Sequence, residues 1–280
     1  MTAAGRTGRL SGKVALVTGA GSRGEGIGIG RATAILLARE GARVGLLDRN
    51  REWADLTHRM IMDEGGEAAV IEAEVTDPGS CQDAVRAVTS RWHGLDILVN
   101  VVGTVGPPGT AVDVDLDAWD RGMRVNVTSM VLTSRAAIPA MRERGGGAIV
   151  NISSIGGLLG GDPALLYPTS KGAVVQLTRA MAALHGREGI RVNCVAPGVV
   201  YTPFVVEAGG LDEEMREIRR ESTLLGIEGT GWDVGYAVRY LASDEARWVT
   251  GVILPVDGGF TSGRRTQLVV GFHDDQPAGT

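Results

Sequence analysis

KVALVTGAGSRGEGIGIGRATAILLARE, running from Lys13 to Glu40, decides how this chain folds. After Lys13 its first residues, VALVT, are mainly apolar and largely β-branched, the composition of a buried strand. Its last ten, RATAILLARE, repeat apolar residues at helical spacing. Between them stand six glycines in twelve residues, from Gly19 to Gly30. A strand–turn–helix unit of this kind lets backbone approach a pyrophosphate, and the helix N-terminus adds free N–H groups and a positive dipole end. Gly19, Ser22, Gly28, Ile29 and Gly30 are the candidate contacts. The next apolar run, ARVGLLD, ends on Asp48. Its carboxylate would accept hydrogen bonds from adenosine ribose hydroxyls and repel a 2′-phosphate. That selects NAD over NADP, while the guanidinium of Arg49 beside it works in the opposite sense.

Outward from this unit, β and α signals alternate. EAAVIEAEV, LDILVNV, GAIVNIS, IRVNCVAP and VTGVILPVD read as further buried parallel strands. Helical periodicity fills the intervals: REWADLTHRMIMDEG, SCQDAVRAVTSRW, AVVQLTRAMAALHGREG and the long LDAWDRGMRVNVTSMVLTSRAAIPAMRERG. Asp77–Pro78 and Asp162–Pro163 read as helix starts with proline near the first position. Repeated βα units require right-handed crossovers. The expected fold is α/β: a single domain with a doubly wound, seven-stranded parallel sheet and helices on both faces. It occupies residues 11–262, between a flexible N-terminus (1–10) and a tail (263–280).

Composition narrows the function. With 280 residues and 44% apolar content the chain can bury a large core, and no apolar run approaches the ~18 residues of a membrane span. A net charge of −5 with mixed signs lacks the basic face that nucleic acid needs. Cys81 and Cys194 lie in no CxxC or Cys/His cluster and read as reduced, buried thiols of a cytoplasmic protein. The start, MTAAGRTGRLSGK, has no apolar h-region and reads as a frayed terminus rather than a signal peptide. His58, His93, His185 and His273 are scattered, so no metal site is expected. Five isolated tryptophans read as packing or interface residues, and LDEEMREIRRE as an exposed helix laced with charge pairs.

The chemistry lies in NISSIGGLLGGDPALLYPTSKGAV, residues 151–174. Tyr167 and Lys171 are four apart, so on one helix they project from the same face. A phenol titrates near pH ~10, and an ammonium close by would draw that value down toward a working general base. Ser154, just after an apolar strand, could hold a substrate oxygen beside the phenol. Pro168 removes a backbone donor and is expected to bend the helix.

These motifs together resemble the short-chain dehydrogenase/reductase family in its compact form, over about residues 10–262. The family's T-G-x-x-x-G-x-G turn is matched at Thr18–Gly19 and Gly28-Ile29-Gly30, with five extra residues, Arg23 to Ile27, between. Its N-N-A-G appears as Asn100-Val-Val-Gly103, its helix Asn as Asn126, and its Ser and Y-x-x-x-K as Ser154, Tyr167 and Lys171. Pro197-Gly198, followed by Val200 and Thr202, matches its turn after the sixth strand. Glu74, with Val75, stands where the family carries an adenine-side acid.

The resemblance implies a Rossmann-type oxidoreductase. Tyr167 exchanges a proton with a substrate oxygen while hydride moves between carbon and nicotinamide, and Ser154 polarises that oxygen. Lys171 lowers the Tyr167 pKa and holds the nicotinamide ribose, and Asn126 fixes a water through its backbone. It also implies a homotetramer joined through helices. Specificity should lie at residues 104–110, at Gly156–Leu159 and in a substrate loop about 199–231, whose apolar start suits an uncharged small-molecule alcohol or ketone. Two alternatives stay open: a sugar-nucleotide epimerase or dehydratase with retained NAD, and a non-enzymatic dinucleotide-binding interaction protein. In the tail, DDQPAGT reads as disordered. TQLVVGF either packs on its own subunit or crosses an interface to border a neighbour's pocket.

Overall fold

The computed structural model describes residues 8–207 and 212–264. In chain order the strands are β1 (Val14–Thr18), β2 (Arg43–Asp48), β3 (Glu67–Glu72), β4 (Ile97–Asn100), β5 (Gly147–Ile152), β6 (Ile190–Pro197), β7 (Val200–Tyr201), β8 (Gly229–Thr230) and β9 (Ile253–Val256). Seven of them form one parallel sheet in the order β3-β2-β1-β4-β5-β6-β9, and β7 and β8 pair as a separate short ribbon. All seven expected strands are therefore in the sheet. The helices are α1 (Ile29–Arg39), α2 (Arg51–Asp63), α3 (Pro78–Trp92), α4 (Leu116–Met123), α5 (Ser129–Glu143), α6 (Leu166–His185), α7 (Pro203–Glu207), α8 (Glu213–Glu221) and α9 (Gly231–Ala242).

The central strands β1, β4 and β5 read as nearly continuous apolar runs because both their faces are buried. In β1, Ala15 and Val17 join one core layer, with Ile35 and Leu37 of α1 and Val234 and Val238 of α9. Val14 and Leu16 join the other, with Val85 and Val88 of α3, Ala137 of α5 and Met181 of α6. That alternation is the two-residue period of a strand. Truncating Leu16, which has no exposure, should cost about 2–5 kcal/mol. Strand order reverses between β1 and β4, so their carboxyl ends diverge into a crevice at the switch point.

Four local expectations change. The run EAAVIEAEV leaves the sheet at Glu72, which puts Glu74 and Val75 in the following turn. The long helical segment is interrupted by a π-helical turn over Arg124–Thr128. Asp77 caps α3 through Ser80 N (2.6 Å) with Pro78 at the first position, as expected, but Asp162–Pro163 starts no helix. Asp162 instead accepts from Ala164 N (2.9 Å), and Leu165 N is held by the Gly109 carbonyl (3.1 Å), so α6 begins only at Leu166. The ordered domain also starts before residue 11: Leu10 is fully buried, and Arg9 pairs with Glu40 (3.0 Å) and Glu245 (2.9 Å). Residues 1–7 and the tail segment TQLVVGF lie outside the described residues. Among the described residues no helix is long and apolar enough to cross a membrane, and no group of His, Cys, Asp and Glu could hold a metal.

Candidate active site

β5 ends at Ile152 and delivers Ser154 to the carboxyl edge of the sheet. The late start of α6 places Tyr167 in its first turn and Lys171 one turn on. Ser154 Oγ accepts from Gly156 N (3.1 Å), and a Cβ on Gly156 would stand 3.6 Å from both Ser154 Oγ and the edge of the Tyr167 ring, so the two side chains face the same spot. Lys171 Nζ donates to the Ile152 carbonyl (3.1 Å), and the Ser153 hydroxyl donates to the Lys171 carbonyl (2.7 Å), locking α6 to β5. Pro168 does not interrupt α6. It is the third residue of the helix, where an N–H would have no intrahelical acceptor.

Electrostatics differ from the sequence expectation. Burial, the largest influence, pushes the Tyr167 phenol above its ordinary value. The Ser154 hydroxyl works against that rise, and the Asp162 carboxylate adds to it. Lys171, 4% exposed, is itself brought down by burial from 10.5 to about 8. Each group is desolvated, and desolvation disfavours both charged forms. The expected pull of the ammonium on the phenol does not dominate.

The π-helical turn carries Asn126, which is fully buried. Its Oδ1 accepts from Thr104 N (2.7 Å), while Nδ2 donates to the Thr104 carbonyl (2.9 Å) and to Ser170 Oγ (2.8 Å). Ser170 Oγ in turn donates to the Tyr167 carbonyl (2.9 Å). The loop after β4 is thereby tied to the first turn of α6 by Asn126's side chain, a role the sequence did not suggest. A Cβ on Gly103 would stand 3.2 Å from Lys171 Nζ and 3.4 Å from Asn126 Oδ1, so these three residues converge. Asn100 spends its side chain elsewhere, donating to Asn151 Oδ1 (2.9 Å) and accepting from Thr133 Oγ1 (2.7 Å).

The dinucleotide candidates line the same edge. Gly28 caps α1 in an extended conformation with no side-chain cap, so the first-turn amides have no side-chain partner. Gly19 has φ +63°, and its carbonyl fills the place of a Cβ on Gly30, the close strand–helix approach that a pyrophosphate seat requires. Ser22 is buried against Gly28. Asp48, 8% exposed, accepts from Gly21 N (2.9 Å) and Asn50 N (2.9 Å), so its carboxylate is fixed at the end of β2 with Arg49 exposed beside it. Glu74 accepts from Thr76 N (3.0 Å) within its own turn, and Val75 is buried. Pro197 closes β6, Gly198 N donates to the Val256 carbonyl (2.9 Å), Val200 pairs with Gly229, and the buried Thr202 accepts from Val205 N (2.9 Å). An uncapped helix start, glycine-lined close approaches and a fixed carboxylate at the next strand end fit a nicotinamide dinucleotide. Ser170 and Arg31 were missed by sequence reasoning, as was the tie of Thr104, expected only as part of the specificity segment, to Asn126. Only Arg31 left a signal, as a charge beside the apolar stripe of RATAILLA.

A family model described as enoyl-(acyl carrier protein) reductase matches residues 24–261. The 2-(S)-hydroxypropyl-CoM dehydrogenase 3 of Xanthobacter autotrophicus is 38% identical over 257 residues, 91% of this chain and 98% of that one. The cyclopentanol dehydrogenase of Comamonas sp. is 40% identical over 257 residues, 91% and 99% of the two chains. A solved 7α-hydroxysteroid dehydrogenase, complexed with NADH and 7-oxo glycochenodeoxycholic acid, aligns with a TM-score of 0.84 at 32% identity, covering 93% of this chain and 98% of its own. With the Ser154–Tyr167–Lys171 arrangement at the sheet's carboxyl edge, the chain belongs to the short-chain dehydrogenase/reductase family.

Proposed function

We propose that the protein is an NAD(H)-dependent oxidoreductase interconverting a secondary alcohol and a ketone. The observation that carries this is the convergence of Ser154, Tyr167 and Lys171: Ser154 Oγ and the Tyr167 ring flank Gly156, and the buried Lys171 ammonium lies 5.8 Å from that ring's centroid. A nicotinamide dinucleotide, when bound, supplies the hydride acceptor or donor. Gly19, Ser22 and Gly28–Gly30 would hold its phosphates, Asp48 its adenosine ribose, and Gly198–Thr202 its nicotinamide side. Ser154 would orient the substrate oxygen, and Tyr167 would give it a proton in reduction or take one in oxidation. The upward push on the phenol keeps it protonated at neutral pH, the form that reduction requires. Asn126 would hold Thr104 and the start of α6 in register beneath the reacting groups.

Val105, Leu158, Leu159 and Phe204 are exposed apolar side chains in the segments expected to set specificity. They favour an uncharged, apolar substrate, of the size of the cyclopentanol or hydroxysteroid that the relatives' names specify. Cys81 and Cys194 are free, buried thiols, in keeping with a reducing compartment such as the cytoplasm. Exposed Val131 on α5 and Leu184 on α6 supply apolar surface for helix-to-helix assembly into a homotetramer. The test is a panel of secondary alcohols, cyclic diols, steroids and sugars with NAD, read at the nicotinamide absorbance. Turnover of a neutral secondary alcohol is expected. Retained NAD without net oxidation would favour the epimerase alternative, and binding without turnover the non-enzymatic one.

A further inference from the structure

Arg31, in the first turn of α1, has no solvent exposure and heads the fully buried side chains of the described residues by volume. Its guanidinium donates to Thr57 Oγ1 (3.0 Å) and to four carbonyls: Ser22 (2.7 Å), Gly24 (2.7 Å), Gly26 (2.5 Å) and Trp53 (3.3 Å). Asp48 acts on it only at longer range, and burial disfavours its charge. Holding a guanidinium in the interior without a directly paired carboxylate is costly. Here it fixes the backbone of the glycine-rich turn's five-residue insertion, whose carbonyls at Gly24 and Gly26, with Ser22 just before it, turn inward onto one planar fork of donors.

The insertion reaches in two directions. On one side the Arg23 guanidinium lies 5.4 Å from the Trp53 ring centroid, and Gly21 packs on Trp53 beside the Asp48 carboxylate. On the other, Gly26 packs so closely on Pro203 that a Cβ would overlap the ring's Cγ, and the Ile27 carbonyl lies against Gly231. Pro203 is the first residue of α7, directly after Thr202. The loop therefore spans from the adenosine end of the candidate seat to the start of the substrate segment.

We propose that Arg31 is a positioning residue, holding the Arg23–Ile27 insertion as a fixed strap that joins the dinucleotide seat to α7. Dinucleotide release then requires α7 to move, and a filled seat sets α7 for the substrate. This rests on the dinucleotide reading of the seat.

The test uses the full-length protein, with NADH affinity and release followed by nicotinamide fluorescence and substrate KM measured separately. Gly26→Ala forces strap and α7 apart, and should speed NADH release and raise KM by about fivefold or more, with kcat changing less. Adding Pro203→Ala removes the colliding Cγ and leaves Pro203's Cβ position 3.6 Å from the new methyl, an ordinary contact. The double variant should return both values to within about twofold of wild type. Arg31→Met should speed release in the same way and gain nothing from Pro203→Ala. If Arg31→Met does not fold, the Gly26–Pro203 pair still decides the matter. Release and KM unchanged in a folded Gly26→Ala protein, or equal defects in the single and double variants, would overturn the strap alone. A wild type that binds no NADH would sink the dinucleotide reading, and the strap with it.

Discussion

The Lys171 ammonium lies over the Tyr167 ring, 5.8 Å from its centroid, while donating to the Ile152 carbonyl at 3.1 Å. That bond anchors it to the sheet edge beside the phenol. The same lysine is almost fully enclosed, so its charge is held at a cost.

Tyr167→Phe should retain NAD binding and lose turnover by ~100-fold or more, the scale of a missing general acid–base. Lys171→Ala should weaken both. Because burial raises the phenol, oxidation by the wild type should accelerate as pH rises through the alkaline range, and ketone reduction should fall. Steady-state kinetics across pH, with cofactor affinity measured separately, check this. Near-normal turnover by Tyr167→Phe would remove the assignment.

Lys171 also makes a stability prediction. Its folded value, about 8, lies below the ordinary 10.5, so the unfolded chain binds the proton more tightly between those values. Wild-type stability therefore carries a penalty below about pH 8 that is relieved as pH climbs toward 10.5. Cys81 and Cys194, both pushed up to about 11, contribute the opposite slope in the alkaline range, so the comparison must be between variants. Lys171→Met should gain stability over wild type at pH 7, by up to about 3 kcal/mol less the lost Ile152 hydrogen bond. That advantage should shrink by pH 10. Denaturant melts at both pH values decide it, and a pH-independent difference would count against a charged, buried Lys171.

Asp48 should discriminate between cofactors. A 2′-phosphate beside a carboxylate only 8% exposed would cost ~1–3 kcal/mol, or ~5- to 150-fold in kcat/KM in favour of NAD. Asp48→Ala should narrow that gap and also weaken NAD itself, because the carboxylate holds Gly21 N and Asn50 N in place. Equal use of NAD and NADP by the wild type would show that Arg49 or Arg23 overrides it.

Assembly is checked most directly. Light scattering at micromolar concentration should give the mass of four chains. A monomer mass would leave the exposed Val131 and Leu184 without the proposed partner.

The sequence by itself determined the seven strands and the acid–base spacing. A strand buried on both faces is largely apolar along its length, so β1, β4 and β6, with only a few polar positions each, announce themselves. A four-residue interval on a helix brings Tyr167 and Lys171 to one face whatever surrounds them. Only the tertiary structure decided the rest. The π-helical turn that sends Asn126 onto Thr104 is a matter of backbone register, which residue types do not encode. Whether Lys171 would pull the phenol down depended on how deeply both were buried, and burial arises from elements distant in the chain. Arg31 shows the same division: its partners are mostly carbonyls, which every residue carries, and only the fold determines which of them turn inward to meet one guanidinium.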